Sequence, residues 1–369
     1  MKNIKFFDYQ SLFKAHKENL LSIFEDVASR GAFILQNDLE EFENEISKYV
    51  NAESAIGVGN ATDALQLLFL ADELGPGDEV IFCSHTMIAT ASAIKFCGAK
   101  PVPIEAGADH LIDTSKIENS INSRTKAIIP TQLNGRIADM NIILEIAKKY
   151  NLRVYEDSAQ ALGATYNNTF AGTFDRGGCI SFYPAKTLGC FGDGGMVICN
   201  DKSLSDKIKL LRDHGRDSSG NVSVWGYNSR LDNLQAAILN YYFKSYHKVI
   251  EKRRHIANLY DNGLKSVKNI ILPPAPLSDP IRRDVYQNYE IEAENRDELK
   301  LFLQNNNVGT LLQWGGKAVH EFEDLGFNIK LPETERIMRR SLLLPLNLSI
   351  LDEDVEFICN LIKNFYEKK

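Results

Sequence analysis

Short apolar runs alternate with amphipathic stretches over the first two thirds of the chain. The runs are rich in Val and Ile, as buried strands are, and lie at 54–58, 79–82, 101–104, 127–130, 152–156, 179–182 and 196–199. Between several of them apolar residues recur at helical spacing, over 62–73, 87–96 and 141–150. Strands and helices that alternate at this pace predict an α/β fold, with a mostly parallel central sheet and helices on both faces.

The two ends of the chain have a different pattern. Residues 8–50 and 231–260 are predicted to be helical, and the proline-rich segment 272–276 marks a boundary. Beyond that boundary the pattern predicts one strand and two helices, at 286–291, 297–304 and 351–366. We therefore expect a large domain over residues 1–245 and a smaller C-terminal α+β domain over residues 246–369.

The composition indicates a folded globular protein and excludes several functional classes. Hydrophobic residues make up 44% of the 369 residues and charged residues 25%. The net charge of −7 leaves no excess of Lys and Arg to neutralise phosphates, so we expect no nucleic-acid partner. A signal-peptide pattern and an apolar stretch of roughly 18 residues are both absent, which predicts a cytoplasmic protein without membrane contact. Six cysteines without metal-like spacing predict buried thiols.

The first candidate for chemistry is segment 59–65, where a predicted strand turns into a helix. The free backbone amides of a first helical turn bind anions, and small residues let an anion approach them. Asn60 or Thr62 can cap this helix. The segment is therefore either a phosphate site or an ordinary capped helix.

The second candidate is the acidic pair Glu156 and Asp157 at the end of a predicted strand. Ligands of α/β proteins bind at the carboxyl ends of the strands. Strand alternation sends the two carboxyl groups to opposite faces, so we do not expect them to act as a catalytic pair. We expect one of them to face a ligand; the alternative is a pair of acids that cap a helix.

The third candidate is Lys186, which lies between an apolar strand and the glycine-rich run 189–195. Most lysines are solvated surface residues. Here Pro184 and the glycines predict a tight turn that partly buries the amine, and burial lowers the pKa of a lysine and makes it nucleophilic. The segment does not match a phosphate-binding Walker loop.

These three segments together supply what pyridoxal 5'-phosphate requires. The cofactor needs an amine for covalent attachment, a carboxylate for its pyridine nitrogen and a helix N-terminus for its phosphate. Asp157 precedes Lys186 by 29 residues and Ser181 precedes it by five. We therefore predict a pyridoxal-phosphate enzyme.

The chain resembles the DegT/DnrJ/EryC1/StrS family of sugar aminotransferases over nearly its full length. The matching segments are 39–43, 59–65, 86–94, 156–163, 181–195, 212–215, 226–230 and 235–237. The resemblance implies the PLP-dependent transferase type I fold, the fold of aspartate aminotransferase. It also favours amino transfer over deoxygenation, because the family's dehydratase relatives have a histidine where this chain has Lys186.

The resemblance also implies roles for individual residues. Lys186 would carry the cofactor and move a proton between the cofactor carbon and the substrate carbon. Asp157 would pair with the pyridine nitrogen, and Gln160 would bond the phenolic oxygen of the ring. The phosphate contacts would be Ala61, Thr62, Ser181 and, from the neighbouring subunit, Asn228. The last contact implies a homodimer with shared active sites.

Some positions depart from the family's pattern. Met87 stands where the family often has an aromatic residue that stacks on the cofactor, so either Met87 or His85 would take that place. Within 130–135, Gln132 and Asn134 either shape the sugar site or pack in the core. The unusual stretch 314–320 either contacts the sugar nucleotide or covers the seam between the domains. The candidate substrate residues are His85, Gln132, Tyr183, Trp314 and His320.

The reaction implied by the resemblance has two halves. L-glutamate gives its amino group and leaves as 2-oxoglutarate, and a nucleotide-linked keto-sugar accepts the amine, as in the synthesis of amino sugars for surface glycans such as lipopolysaccharide. Residues 184–195 look more like the branch that aminates C3 of the sugar, which implies a nucleotide-linked 3-keto-6-deoxyhexose as acceptor. The alternatives are amination at C4 of a 4-keto-6-deoxyhexose and a non-catalytic sensor on the same fold. A dinucleotide enzyme is excluded because no Gly-x-Gly-x-x-Gly follows the first strand.

Overall fold

The computed structural model describes residues 3–368. Its helices are α1 (Tyr9–Arg30), α2 (Asn37–Tyr49), α3 (Ala61–Ala71), α4 (Ile88–Phe96), α5 (Thr114–Ile117), α6 (Met140–Tyr150), α7 (Lys202–Arg212), α8 (Asn233–Phe243), α9 (Tyr246–Leu264), α10 (Arg296–Asn305), α11 (Pro332–Arg340) and α12 (Asp352–Glu367). Its strands are β1 (Ser54–Val58), β2 (Glu79–Cys83), β3 (Lys100–Ile104), β4 (Thr125–Ile129), β5 (Arg153–Val154), β6 (Glu156–Asp157), β7 (Thr165–Tyr166), β8 (Thr169–Phe170), β9 (Gly178–Ser181), β10 (Gly195–Cys199), β11 (Ile270–Ile271), β12 (Arg282–Arg283), β13 (Tyr289–Ala293) and β14 (Ser341–Leu344).

A central sheet runs through the large part of the molecule. Its two halves have the strand orders β1-β10-β9-β6 and β3-β2-β4-β5. The halves are continuous because only Tyr155 separates β5 from β6, and Thr131 pairs with Asp157 just beyond β4. Neighbouring strands are parallel except where β10 pairs with β1 and β9. The predicted α/β fold with a mostly parallel sheet is therefore confirmed.

The antiparallel direction of β10 follows from the segment that connects it to β9. Residues 182–194 join β9 to β10 without a helix, whereas a parallel strand needs a crossover that is usually helical. The chain therefore turns back at the edge where β9 ends. Lys186 lies in this turn.

The strand residues alternate between two cores, one on each face of the sheet. Val80 and Phe82 belong to one core and Ile81 to the other. Ile129 and Ile128 divide in the same way. This two-sided burial explains why the strands read as continuous apolar runs, as strands of parallel sheets do.

A third core lies in the C-terminal part of the chain, around the antiparallel sheet β11-β13-β14. Helices α9, α10 and α12 contribute buried residues to it, and Ile4 joins it from the other end of the sequence. Helix α9 contacts two cores, since Tyr246 and Ile250 belong to a core of the central sheet and Ile256 to the third. The boundary near residue 245 remains a prediction.

The structure differs from the predicted elements in several places. The helical stretch 8–50 is two helices because Gly31 ends α1 in the left-handed region, at φ 62°. Strand β13 begins at Tyr289 rather than 286, because Tyr286 has a φ of 51° that a strand does not allow. The sequence pattern did not reveal α7, α11, β14 or the β7–β8 hairpin.

The structure also bears on the predictions about membrane-spanning helices and cysteines. Within residues 3–368 no helix is both long and apolar enough to cross a bilayer. All six cysteines are buried free thiols, as the sequence predicts.

Candidate active site

A cavity of about 430 Å³ opens where the central strands end. Its walls come from the segments that follow β1, β2, β4, β6 and β9, because parallel strands end at the same edge of a sheet. The predicted site residues that it brings together are Ala61, Thr62, Met87, Asp157, Gln160, Ser181, Tyr183, Lys186 and Trp314.

Lys186 lies in the tight turn that the sequence predicts. Its backbone N–H donates a hydrogen bond to the carbonyl of Tyr183 at 2.8 Å. A Cβ at Gly189 would lie 2.8 Å from the Tyr183 carbonyl oxygen, so the close turn requires glycine there. Burial lowers the pKa of Lys186, against the opposing effect of the Asp157 carboxylate. The amine is thus more easily deprotonated than an ordinary lysine.

Gln287 holds this turn from the side of the C-terminal sheet. Its amide nitrogen donates to the Ala185 carbonyl at 2.8 Å, and its amide oxygen accepts from the Thr187 N–H at 2.9 Å. The two bonds flank Lys186 and fix the backbone on both sides of it. No sequence motif marks Gln287, which lies 101 positions from the lysine.

Asp157 lies on the cavity wall at the end of a chain of hydroxyl groups. Its Oδ2 accepts a hydrogen bond from Thr90 Oγ1 at 2.5 Å. Thr90 in turn contacts Thr86 Oγ1 at 2.9 Å, and Thr131 Oγ1 donates to Thr86 at 2.9 Å. Because each hydroxyl has one proton to donate, the bond from Thr90 to Asp157 makes Thr86 the donor to Thr90. The three hydroxyl groups therefore all donate in the direction of the Asp157 carboxylate. The hydrogen bond that Thr90 donates stabilises the negative charge of this carboxylate.

Glu156 faces away from the cavity, as strand alternation predicts. It is fully buried, and burial raises its pKa to about 7. Its two oxygens accept hydrogen bonds from Gln132 Nε2 at 2.6 Å and from the Phe174 N–H at 2.9 Å. Glu156 thus supports the strand from behind while Asp157 faces the cavity.

The N-terminus of α3 lines the same cavity. Asn60 caps it by accepting a hydrogen bond from the Asp63 N–H at 2.9 Å. Ala61 and Thr62 form the first turn, whose amides have no partner within a helix. A Cβ at Gly195 would lie 2.3 Å from the Asn60 carbonyl carbon, so the glycine lets this turn pack against β10. With Ser181 nearby on the cavity wall, the turn is suited to a phosphate.

The orientation of Gln160 follows from its hydrogen bond to Asn134. The backbone N–H of Asn134 donates to Gln160 Oε1 at 2.7 Å. That contact uses the amide oxygen, so the Nε2 group is the end that can donate into the cavity. Asn134 takes a left-handed conformation, at φ 57°, which asparagine adopts more readily than most residues.

Four of the predicted residues are absent from the cavity wall. His85 and Gln132 are fully buried. The side-chain amide of Gln132 donates a hydrogen bond to Glu156 and accepts one from the Ala138 N–H at 2.8 Å. His320 is buried against Ser84, with Nδ1 and Oγ 2.8 Å apart. The structure thus places Gln132 in the core packing that was its alternative, and it places Met87 rather than His85 at the cavity. Asn228 is exposed and does not line the cavity of its own subunit.

The fold and the site together define a class of protein. A buried amine of lowered pKa and a stabilised carboxylate share one cavity at the carboxyl ends of a mostly parallel sheet. Such a site is typical of α/β enzymes that use a lysine nucleophile.

Comparison with known proteins identifies the family. The chain matches the model of the DegT/DnrJ/EryC1/StrS aminotransferase family over residues 14–363. It is 36% identical to the pleiotropic regulatory protein of Geobacillus stearothermophilus over 99% of both chains. It is 33% identical to the UDP-2-acetamido-2-deoxy-3-oxo-D-glucuronate aminotransferase of Pseudomonas aeruginosa, over 98% of this chain and 100% of that protein.

A solved structure agrees with this match. The crystal structure of S. venezuelae DesV in complex with a ketimine intermediate superposes with a TM-score of 0.95 at 32% identity, covering 100% of this chain and 99% of that one. The chain belongs to the DegT/DnrJ/EryC1/StrS aminotransferase family. The predicted family, fold class and enzyme class, an aminotransferase, are confirmed.

Proposed function

We propose that this enzyme moves an amino group from L-glutamate to C3 of a nucleotide-linked keto-sugar, with pyridoxal 5'-phosphate as cofactor. The observation that carries the proposal is the shared cavity of Lys186 and Asp157 beside the N-terminus of α3. The enzyme class, a nucleotide-sugar aminotransferase, and its cofactor rest on membership in the family. The carbon atom and the amino donor are proposals.

The residues present fit the cofactor. Lys186 would hold it covalently, Asp157 would face its pyridine nitrogen, and Gln160 Nε2 would donate to its phenolic oxygen. Ala61, Thr62 and Ser181 would hold its phosphate, and the exposed thioether of Met87 would cover its ring. When bound, the cofactor supplies an electron sink for the carbon that gains or loses the amino group.

The chain's own groups carry the remaining work. The lowered pKa of Lys186 makes Nζ easier to deprotonate than an ordinary lysine, so the free amine can accept a proton and return it, as a general base and acid must. The hydrogen bond that Thr90 donates to Asp157 stabilises negative charge on that carboxylate, which would favour a protonated ring nitrogen in the bound cofactor. Gln287 keeps the lysine turn in place during both halves of the reaction.

The choice of C3 is supported by the relatives. The P. aeruginosa relative is named for a 3-oxo sugar, and it matches this chain over its whole length. Tyr183 and Trp314 line the cavity and offer aromatic surface and polar groups to a sugar nucleotide. Phe6 and Phe7 line the same cavity from the N-terminal segment.

The product position can be tested directly. The purified enzyme should have a visible absorption that excess L-glutamate bleaches. It should then convert a nucleotide-linked 3-keto sugar, with the new amine at C3 by NMR. An amine at C4 from a 4-keto sugar, with no reaction of the 3-keto sugar, would refute the C3 assignment and keep the enzyme class.

Variants test the role of the lysine. Lys186→Ala should lose the covalent attachment of the cofactor and all turnover, whereas the exposed Lys265→Ala should keep both. Normal turnover by Lys186→Ala would overturn the assignment of the lysine.

The regulatory alternative is supported by the name of the G. stearothermophilus relative. The intact set of Lys186, Asp157 and the hydroxyl chain favours catalysis. A protein that binds the cofactor and transfers no amine to any keto-sugar in a broad panel would favour the regulator.

We also propose a homodimer in the cytoplasm in which Asn228 reaches the partner's phosphate site. The exposure of Asn228 supports this, as does Ser229, which accepts from the Gly59 N–H at 3.0 Å and so fixes the segment beside α3. Mixing and reassembling Lys186→Ala with Asn228→Ala should restore about one quarter of the active sites, since each mixed dimer has one intact site. A mixture no more active than its components would contradict shared sites.

A further inference from the structure

A cluster of the buried His85 and Glu290 with the half-buried His110 lies outside the active-site cavity, and the proposed reaction makes no use of it. His85 follows β2, Glu290 belongs to β13, and His110 lies in the loop after β3 with a left-handed φ of 66°. His85 is completely buried, and Glu290 is 3% exposed. Two imidazoles and a carboxylate are thus brought together from three distant parts of the sequence.

The distances within this cluster are those of a common ligand set. His85 Nε2 lies 3.5 Å from Glu290 Oε1, and His110 Nδ1 lies 3.0 Å from Glu290 Oε2. One ligand atom from each residue lies within 4.8 Å of the other two. Zinc bonds of about 2.0–2.2 Å in a tetrahedral site place ligand atoms roughly 3.3–3.5 Å apart. The separation of His85 and Glu290 fits this value.

Hydrogen bonding accounts for only part of the cluster, the contact between His110 Nδ1 and Glu290 Oε2 at 3.0 Å. Among the residues that the structure describes, both ring nitrogens of His85 and Oε1 of Glu290 are buried without a hydrogen-bond partner. Each such group costs about 1–3 kcal/mol when it is left unsatisfied. The nitrogen and the oxygen that face each other are therefore the atoms that a bound cation would satisfy.

The surrounding groups orient the ligand atoms. His110 Nε2 lies 3.2 Å from Glu292 Oε1, which leaves Nδ1 directed at the cluster. Glu290 Oε2 accepts a hydrogen bond from Asn134 Nδ2 at 2.6 Å, which leaves Oε1 for another partner. Carboxylates behind histidines and hydrogen bonds on carboxylate ligands are the usual outer contacts of metal sites.

We propose that His85 Nε2, His110 Nδ1 and Glu290 Oε1 bind a divalent transition metal ion of the zinc class. Two imidazoles and one carboxylate suit such an ion and leave a fourth position for water. The ion lies outside the cavity, since His85, His110 and Glu290 are absent from its wall. Its effect on the active site passes through Asn134, which bonds both Glu290 and Gln160. The role is structural: it fixes the position of Gln160.

Metal content of the holoenzyme tests the site. The protein is treated with a chelator, desalted, incubated with zinc chloride and desalted again, and zinc per chain is measured by mass spectrometry. We expect one zinc ion per chain in the wild type and in His247→Gln, a matched exposed histidine. We expect at least about tenfold weaker zinc binding in His85→Gln and in Glu290→Gln, which keeps the size of the side chain.

Two results would overturn the proposal. A wild type that retains no stoichiometric zinc would show that a proton, shared between the histidines and Glu290, holds the cluster together. Equal zinc retention in His85→Gln and the wild type would place the ion elsewhere. X-ray absorption of the zinc-loaded wild type needs no variant: two imidazoles and oxygen ligands are expected, and thiolate ligands would refute the site.

Discussion

Replacing Glu156 with Gln removes a titrating group from behind the active site and keeps the size of the side chain. Burial raises the pKa of Glu156 from 4.5 to about 7. The folded protein therefore holds this proton more tightly than the unfolded chain does. The carboxyl group lowers stability progressively as the pH rises from about 4.5, and the loss is complete above pH 7. A glutamine at this position has no such pH dependence.

The structure sets the size of two opposing effects. The difference between the two pKa values corresponds to about 3 kcal/mol in the free energy of unfolding. The wild type loses this stability as the pH rises from below 4.5 to above 7, and the variant does not. Against this, Glu156 accepts hydrogen bonds from Gln132 and from the Phe174 N–H. A glutamine has only one acceptor oxygen, so one of these donors loses its partner at a cost of about 1–3 kcal/mol. The variant should be less stable at pH 5, and the two effects should nearly cancel at pH 8.

Urea unfolding of both proteins at pH 5, 6, 7 and 8, followed by circular dichroism with equal excess cofactor, measures the difference. We expect the deficit of Glu156→Gln to shrink by roughly 2–3 kcal/mol over this range. The exposed Glu251→Gln should show no such trend. A difference between Glu156→Gln and the wild type that is the same at every pH would refute the reasoning.

Three further predictions concern the active site itself. Thr90→Val removes a hydrogen bond to a charged group, worth about 1.5–3 kcal/mol, so the rate of reaction with L-glutamate should fall by roughly tenfold or more. Thr90→Ser should keep the wild-type rate, and an unchanged rate for Thr90→Val in stopped-flow measurements would exclude a role for the hydroxyl groups. Gln287→Leu frees both backbone groups of the lysine turn, so kcat should fall with little change in the urea midpoint; a lower midpoint with normal kcat would mean a purely structural role. Gly195→Val forces the start of α3 away from β10, so equilibrium dialysis should give a higher Kd for the cofactor, whereas Gly75→Ala should leave it unchanged.

The sequence predicts what depends on local order along the chain. The apolar runs define the strands, and the turn around Lys186 is readable because Pro184 and the glycines lie beside it. The opposite directions of Glu156 and Asp157 follow from the period of a strand alone. These local features were sufficient to place the amine and the carboxylate at one edge of the sheet.

Contacts between distant segments could not be predicted in this way. The hydroxyl chain joins Thr86 and Thr90 to Thr131, which belongs to the end of another strand. His85 adjoins the cavity residues in sequence, but its ring turns into the core toward Glu290, some 205 positions further along the chain. Periodicity gives no information about which of two adjacent residues after a strand turns inward. Only the packed structure resolves that choice.

The double contact of Gln287 restricts how the enzyme can change during evolution. Its side chain must offer one donor and one acceptor at the same reach, to the two backbone groups that flank Lys186. Glutamate lacks the donor, leucine lacks both and asparagine is one methylene shorter. Position 287 should therefore tolerate few substitutions. Because both partners of Gln287 are backbone groups, no side-chain substitution in the lysine turn can compensate for its loss. The identity of residue 287 is thus constrained by a segment about 100 positions away, whatever side chains that segment has.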